Sequence, residues 1–363
     1  MDAGMKKILT VIVPTYNMEQ YLDYCLSSLC VKRHAEAVEV LIVNDGSTDS
    51  SSAIAHGFAA RRPDLFRVID KANGNYGSCV NRGLQAATGK YVKVLDADDS
   101  FSTERFERFL GFLLEEDADL VLSDFVVVDT TRTVRKRICY NLGSGRRFEL
   151  DEVCRKGAFC CMQMHAVTYR RELLQRMGYH QTEGVSYTDQ QWIALPMVRV
   201  RTVARFPDYV YEYLVGRTGQ TVAPSVKIKS LSDTARCALG MVEGYEKWKA
   251  EAAGRPVHDY LLGRIVPMVK EVYVTALTCY SPVTRKLLND FDSELETKGH
   301  DVHEYVASQD VSSFCGVRYL ECWRRHRRTP MWIVRLLSRT YVLLIKLRRL
   351  GHKEGAMEVP VSF

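Results

Sequence analysis

No stretch of eighteen residues in this 363-residue chain is free of Lys, Arg, Asp and Glu, so no segment reads as a transmembrane helix. The first thirty residues hold no signal-peptide pattern, because Pro14 and polar neighbours interrupt the apolar run that follows Lys6 and Lys7. The eleven cysteines include no C-x-x-C pair, and the adjacent Cys160 and Cys161 suit neither an ordinary disulfide nor a zinc site. They read as reduced thiols in a cytosolic protein, mostly small core residues. The phosphate loop G-x-x-x-x-G-K-[ST] is absent, and no G-x-G-x-x-G follows the first apolar run, which removes the commonest mononucleotide and dinucleotide signatures. There is no internal repeat and no low-complexity tract.

What is present is a globular composition, 46% hydrophobic and 26% charged, in a chain long enough to bury a large core without covalent staples. The net charge of +6 is unevenly spread. From Gly316 to Lys353 eleven basic residues face one acid, Glu321, so that stretch carries +10 and the remainder −4.

The first 125 residues alternate strand and helix signals. Apolar, β-branched runs at Ile8–Val13, Val38–Val43, Phe66–Ile69, Tyr91–Leu95 and Asp119–Leu122 are separated by helical spacing over Met18–Cys30, a helix ending near Ala60, and helices over Tyr76–Ala87 and Thr103–Glu115. Such strands predict a parallel sheet covered on both faces, with ligands bound beyond the strands' carboxyl ends. Polar clusters stand at those ends: Thr15-Tyr16-Asn17, Asn44-Asp45-Gly46-Ser47 and Asp96-Ala97-Asp98-Asp99. Further on, Val126–Tyr140 reads as a hairpin, Met164–Tyr169 as a strand and Arg201–Tyr213 as two strands. From a boundary near Ser225 the pattern is mostly helical.

Three carboxylates within Asp96–Asp99 repel one another and call for a cation or good solvation. Hard divalent ions such as Mg²⁺ or Mn²⁺ take such oxygen ligands and share them with substrate phosphates. The same acids also suit a helix start, with Asp99 or Ser100 capping the helix near Thr103. Asp45 reads either as an acceptor for a base or ribose donor or as part of a turn whose Ser47 or Asp49 caps the next helix. The loop Asn73-Gly74-Asn75-Tyr76-Gly77 opens a helix whose backbone amides could face an anion. His300 and His303 lie three residues apart with no third ligand in sequence, which favours a solvated helix surface over a metal site.

Val11-Ile12-Val13-Pro14-Thr15-Tyr16-Asn17, then Val43-Asn44-Asp45-Gly46-Ser47-Thr48-Asp49, then Asn75-Tyr76-Gly77 with Asn81 and Gly83, then Ala87-Thr88-Gly89-Lys90-Tyr91 leading into Asp96-Ala97-Asp98-Asp99, resemble in order the motifs of the family 2 glycosyltransferases. The resemblance covers about residues 8–125. It implies a GT-A, Rossmann-like nucleotide-diphospho-sugar transferase domain over 1–225, with a mostly helical C-terminal extension over 226–363. Downstream, Met164 to Arg170, Tyr187-Thr188-Asp189-Gln190-Gln191-Trp192 and Gly216 to Val222 are similar to the acceptor half of bacterial polysaccharide transferases of this family. The family's acidic pair is reduced here to Asp189, because Thr188 precedes it.

By this resemblance Pro14, Thr15, Tyr16, Asp45, Asn75, Gly77, Asn81, Asp96 and Ala97 would contact the nucleotide. Asp98, with Asp96, would hold Mn²⁺ or Mg²⁺, and Asp189 would be the catalytic base. His165, Trp192 and Arg217 would stand on the acceptor side. The implied reaction is single displacement with inversion, from a nucleotide sugar (a UDP-sugar by the family's usual donors) to a glycan or lipid-linked acceptor in cell-surface polysaccharide synthesis. A nucleotide-sugar-binding scaffold without turnover is the competing reading.

Met331–Leu350 reads as a helix with Pro330 in its first turn. At about 100° per residue, Arg335, Arg339, Lys346 and Arg349 fall on one stripe beside a broad apolar face of Ile333, Leu336, Leu337, Leu344, Ile345 and Leu347. Such a helix suits an anionic membrane surface, which would make the chain a cytoplasmic protein peripheral to the inner face of the cell membrane. The alternatives are a helix packed on its own domain and, least favoured, nucleic-acid binding by Arg324, Arg325, Arg327 and Arg328.

Overall fold

The computed structural model describes residues 7–143, 145–157, 162–186, 188–217, 230–278, 281–308, 313–314 and 317–326. They divide into two compact units: residues up to 220 together with 251–260, and 221–250 together with those from 261 onward.

The first unit is built on a ten-stranded mixed sheet. Its first strand, β1 (Leu9–Thr15), is buried along its whole length and pairs in parallel with β2 (Val38–Asn44) and β4 (Tyr91–Val94). β3 (Phe66–Asp70) pairs in parallel with β2. The helices between them are α1 (Leu22–Ser28), α2 (Ser51–Arg61) and α3 (Asn75–Ala86). After the short β5 (Ser100–Phe101), α4 (Thr103–Glu115) buries Phe106, Phe109, Leu110 and Leu113, the spacing of an amphipathic helix laid on a core. The alternation expected for this half is therefore present, and its strands run in parallel.

The second half of the sheet is mixed. β9 (Val167–Arg170) runs antiparallel between β4 and β6 (Leu120–Val128), and β6 pairs in parallel with β10 (Thr202–Leu214). β6, β10 and the first four strands thus point the same way, and their carboxyl ends share one rim. β5 and β8 (Arg147–Glu149) flank β10, and β7 (Val134–Ile138) completes the expected hairpin with β6. Short helices α5 (Leu150–Arg155), α6 (Arg171–Arg176) and α7 (Asp189–Ala194) fill the connections.

Three elements differ from the sequence reading. The helix expected over Met18–Cys30 is confined to Leu22–Ser28, because Asn17 takes a positive φ of 52° and the chain turns before entering it. Met164–Ala166 is a 3-10 turn, so the strand begins at Val167. The two strands expected over Arg201–Tyr213 are one strand of thirteen residues, with pairing to β6 shifted between Phe206 and Tyr211. Pro207 sits in that interval; it cannot donate to a ladder, so the strand bulges and resumes instead of ending.

Among the described residues the second unit is mostly helical, with α8 (Leu231–Ala252), α9 (Pro256–Thr278), α10 (Pro282–Lys298), α11 (His300–Ser308), a two-stranded ribbon of β11 (Ser313–Phe314) and β12 (Val317–Arg318), and α12 (Tyr319–His326). Its interior holds an ionic knot. Asp292, without exposed surface, accepts hydrogen bonds from Tyr273 Oη at 2.5 Å and Arg324 Nε at 2.9 Å, and His303 Nε2 lies at 3.3 Å. This corrects two expectations. His303 is buried rather than a solvated surface group, and Arg324 is turned inward on Asp292 rather than offered to nucleic acid. The basic segment 331–350 lies outside the described residues.

The core of the sheet also holds side chains that are charged in water, Lys93 among them. Lys93, on β4, has no exposed surface, and its Nζ donates to the carbonyls of His165 at 2.7 Å and Val167 at 3.3 Å. Burial lowers its pKa from 10.5 to about 7. Between those two values the unfolded chain holds a proton that the folded chain has shed, so the stability contributed at this position rises as pH climbs through the window. The unfolding free energy of the parent minus that of Lys93→Met should therefore increase from pH 7 towards pH 10. Denaturant titrations that give a constant difference across those pH values would refute it.

Candidate active site

At the end of β2, Asp45 is buried. Its carboxylate accepts hydrogen bonds from Lys71 Nζ and from the backbone amides of Gly74 and Asn75, each amide at 2.9 Å. Asn75 is held at φ 64°, a left-handed conformation that asparagine tolerates and that turns its N–H onto Asp45. The amides at the start of α3 therefore face the chain's own carboxylate, which corrects the expectation that they stand open to an anion. Lys71, at the end of the third strand, was not singled out from sequence, although the strand-end logic that flagged Asp45 applies to it equally. Thr15 is buried and bonds back to the Val13 carbonyl at 3.2 Å, whereas Tyr16 is 46% exposed on the same rim.

The acidic loop after β4 is a buried cluster, not a helix cap. The residue before α4 is Ser102, which makes no side-chain cap bond, and Ser100 lies in β5. Asp99 has no exposed surface and accepts from Tyr211 Oη at 2.6 Å and from the Leu214 amide at 2.7 Å. Asp96 accepts from Tyr76 Oη at 2.7 Å. Burial, then the nearby charge of Asp98, pushes the Asp96 carboxyl up to about 7, and burial followed by the Asp98 and Asp96 charges raises Asp99 as well. Asp98 is 8% exposed and binds the Arg217 guanidinium through Nε. Ala97 is buried between them.

His165 stands against this cluster. Its ring stacks on Tyr213 with centroids 4.3 Å apart and meets Tyr211 edge-on at 4.7 Å, and its Nε2 is 4.0 Å from Asp99. Burial and then the charge of Lys93 lower its pKa to about 3, so the imidazole is neutral. Ligand atoms of Asp96, Asp99 and His165 lie within 4.8 Å of one another. Crowded carboxylates, two of which resist ionisation, together with a neutral imidazole are a donor set that fits a hard divalent cation.

Asp189 opens α7 and is half-buried. Its negative charge contributes to the upward shifts of Asp96, Tyr76 and Tyr213, so it acts electrostatically on the acidic cluster. The other expected residues are placed differently. Trp192 is 1% exposed and packs edge-on against Tyr169 and Tyr179 in the core, so it is not on an acceptor surface. Asn81 is 5% exposed, with its side chain engaged by Gln181 and Glu183. Gly77 leaves no room for a side chain, since a Cβ there would lie 2.3 Å from the Thr182 carbonyl oxygen. Asn81 and Gly77 therefore hold the 181–184 segment on α3 instead of lining an open nucleotide pocket. Tyr76 and Tyr211 were not called from sequence as ligands of the aspartates. Their partners lie 20 and 112 residues away, and no local pattern records such a pairing. Of the motif Gly216–Val222, residues after Arg217 lie outside the described set, as does Tyr187.

Residues 10–178 match the family model described as Glycosyl transferase family 2. The chain is 29% identical over 215 residues to the uncharacterized glycosyltransferase YibD of Escherichia coli (strain K12), covering 58% of this chain and 62% of that protein. It is 42% identical over 123 residues to the uncharacterized glycosyltransferase MG025 homolog of Mycoplasma pneumoniae, covering 33% and 40%. The matched chain spans at most about three fifths of these relatives' length. Among solved structures it is similar to residues 1–349 of Staphylococcus aureus TarS in complex with UDP-GlcNAc, with a TM-score of 0.61, 18% identity, and coverage of 88% of this chain and 92% of that one. That likeness establishes the shared fold, a GT-A sheet followed by a helical region.

Proposed function

The chain carries a family 2 glycosyltransferase domain over residues 10–178, and from that premise we propose that it is a metal-dependent, inverting glycosyltransferase. It moves a sugar from a UDP-sugar to a hydroxyl of a glycan or lipid-linked acceptor in cell-surface polysaccharide synthesis. The observation that carries this reading is the acidic cluster at the carboxyl rim of the sheet, where buried Asp98 and Asp99 join half-buried Asp96 and ligand atoms of Asp96, Asp99 and His165 lie within 4.8 Å of one another; the half-buried Asp189 adds to the negative charge that raises Asp96.

A nucleotide sugar breaks at its anomeric carbon–oxygen bond, and negative charge collects on the departing diphosphate. Asp98, with Asp96, would hold the divalent ion, which when bound offsets that charge. Among the described residues Arg217 pairs with Asp98, and it would stand beside the same diphosphate. Asp189 takes the proton of the acceptor hydroxyl, whose oxygen attacks the anomeric carbon from the face opposite the diphosphate, so the configuration inverts. A uridine donor is supported by the TarS complex with UDP-GlcNAc and by the geometry around Asp45. Asp45 stands at the carboxyl end of β2, with Tyr16 exposed on the same rim for stacking on a base.

The catalytic domain is assigned to 1–225 and the helical region to 226–363. That division is supported by the end of the last long strand at Leu214 and the start of a helical run at Leu231. Among the described residues no helix is long and apolar enough to cross a membrane. Attachment of the chain to the inner, anionic face of the cell membrane is assigned to 331–350, on the strength of the Arg335, Arg339, Lys346 and Arg349 stripe.

A ligand that binds only the folded state raises its melting temperature, so UDP with Mn²⁺ should stabilise the chain clearly more than GDP with Mn²⁺, and Asp98→Asn should remove most of the metal-dependent part of that gain. Equal shifts for the two nucleotides, or an unchanged metal dependence in the variant, would count against the donor and metal assignments respectively.

Asp189→Asn should lower sugar transfer by about 10²- to 10⁴-fold while UDP–Mn²⁺ binding persists. Transfer within a few-fold of the parent moves the base elsewhere.

Sedimentation with vesicles of anionic lipid at low salt should carry down the full chain and leave a chain ending at Thr329 in solution. If neither binds, the membrane assignment fails.

A further inference from the structure

The 181–184 segment joins two parts of the rim that sequence places far apart. On one side it lies on α3. The Asn81 side chain pairs with both backbone groups of Gln181, accepting its N–H at 2.8 Å and donating to its carbonyl at 2.9 Å, as a neighbouring strand would. The Gly184 amide donates to the Gly74 carbonyl at 2.8 Å, and the missing side chain of Gly77 lets the Thr182 carbonyl approach the helix. Contacts therefore run along α3 from its first turn to Asn81, beside the amides that hold Asp45.

On the other side the same segment grips α7. The Gln181 side chain is wholly buried; its Oε1 accepts from the Thr188 hydroxyl at 2.8 Å, and its Nε2 donates to Tyr179 Oη at 3.1 Å. Gln191 completes the grip, accepting the Thr182 N–H at 2.8 Å and donating to Thr182 Oγ1 at 2.8 Å. Thr188 is wholly buried and precedes Asp189 directly, and its hydroxyl caps no amide of the helix it introduces. A helix of six residues has little stability of its own, so its direction is set by these bonds and by Trp192 packed in the core.

We propose that Thr188 and Gln181, anchored by Asn81, are positioning residues that hold Asp189 at a set distance from the nucleotide-side helix α3. The proposal rests on the reading of Asp189 as base. It also accounts for the threonine standing where an acidic pair would begin. Position 188 is buried, and there the side-chain Oε1 of Gln181 accepts from its hydroxyl. A hydroxyl supplies that hydrogen bond, whereas an ionised acid there would bring an acceptor against an acceptor in a dry site.

The test compares Thr188→Val, which keeps the shape and removes the hydroxyl, with Thr188→Ser, which keeps the hydroxyl, and with Gln181→Leu, all in the full chain. A base displaced by about 1 Å costs up to about a hundredfold in rate. Thr188→Val and Gln181→Leu should therefore lose about ten- to a hundredfold in kcat while the donor KM and UDP–Mn²⁺ affinity stay within about twofold of the parent. Thr188→Ser should retain kcat within about threefold. Amide hydrogen exchange over residues 189–194 should quicken in Thr188→Val and not in Thr188→Ser. A Thr188→Val variant with parental kcat, or equal losses in the valine and serine variants, overturns the proposal. If the parent turns over no donor, the proposed activity falls, and hydrogen exchange alone judges the anchor: faster exchange in the valine variant upholds it, and equal exchange in both variants overturns it.

Discussion

Asp99 is a carboxylate with no exposed surface, and the rim of the sheet is organised around it. Through Tyr211 Oη and the Leu214 amide it binds the acidic loop after β4 to the last residues of β10, 112 and 115 residues further along the chain. Tyr211 Oη in turn accepts the Asp96 amide at 3.2 Å, and three residues beyond Leu214 the chain delivers Arg217 to Asp98. Burying one acid beside two others is costly unless donors and cations are supplied. Here β10 supplies the donors and the loop after it supplies the cation. Burial first, and the crowding of like charges second, raise the Asp96 and Asp99 carboxyls, and the proposed metal would relieve both by supplying positive charge.

α3 is the second organising element. Its first turn closes over Asp45, its Tyr76 reaches Asp96, and its middle carries the segment that leads to α7. Asp45, Asp96 and the 181–184 segment thus share one support. A site assembled from loops on separate strands gains accuracy when those loops are tied to a common element, and Gly77 of α3 makes the close approach of the 181–184 segment possible.

The helical unit follows different rules. Its buried knot of Asp292, Tyr273, His303 and Arg324 draws residues from four helices to one carboxylate. Hydrogen bonds from several partners bring the Asp292 carboxyl well below the usual range despite its burial. Removing any one partner would leave charge in a dry interior, so the knot fixes which faces of these helices meet.

The sequence by itself determined the alternation of strands and helices through the first 125 residues and the placing of polar clusters at strand ends, because both depend on local periodicity and on the geometry of parallel sheets. It also carried the family, through motifs whose order is itself local information. It misjudged β10, where one strand runs through Pro207 with a bulge instead of dividing in two. It could not decide which polar residues of a motif face a ligand and which face the protein. Asn81 and Gly77 carry the same motif as Tyr76, yet they hold the 181–184 segment while Tyr76 holds Asp96. Trp192, three residues from Asp189, packs in the core. Those assignments rest on which distant segment packs against each side chain. Only the tertiary structure decides that, because hydrogen-bond partners separated by a hundred residues leave no periodic trace in the chain.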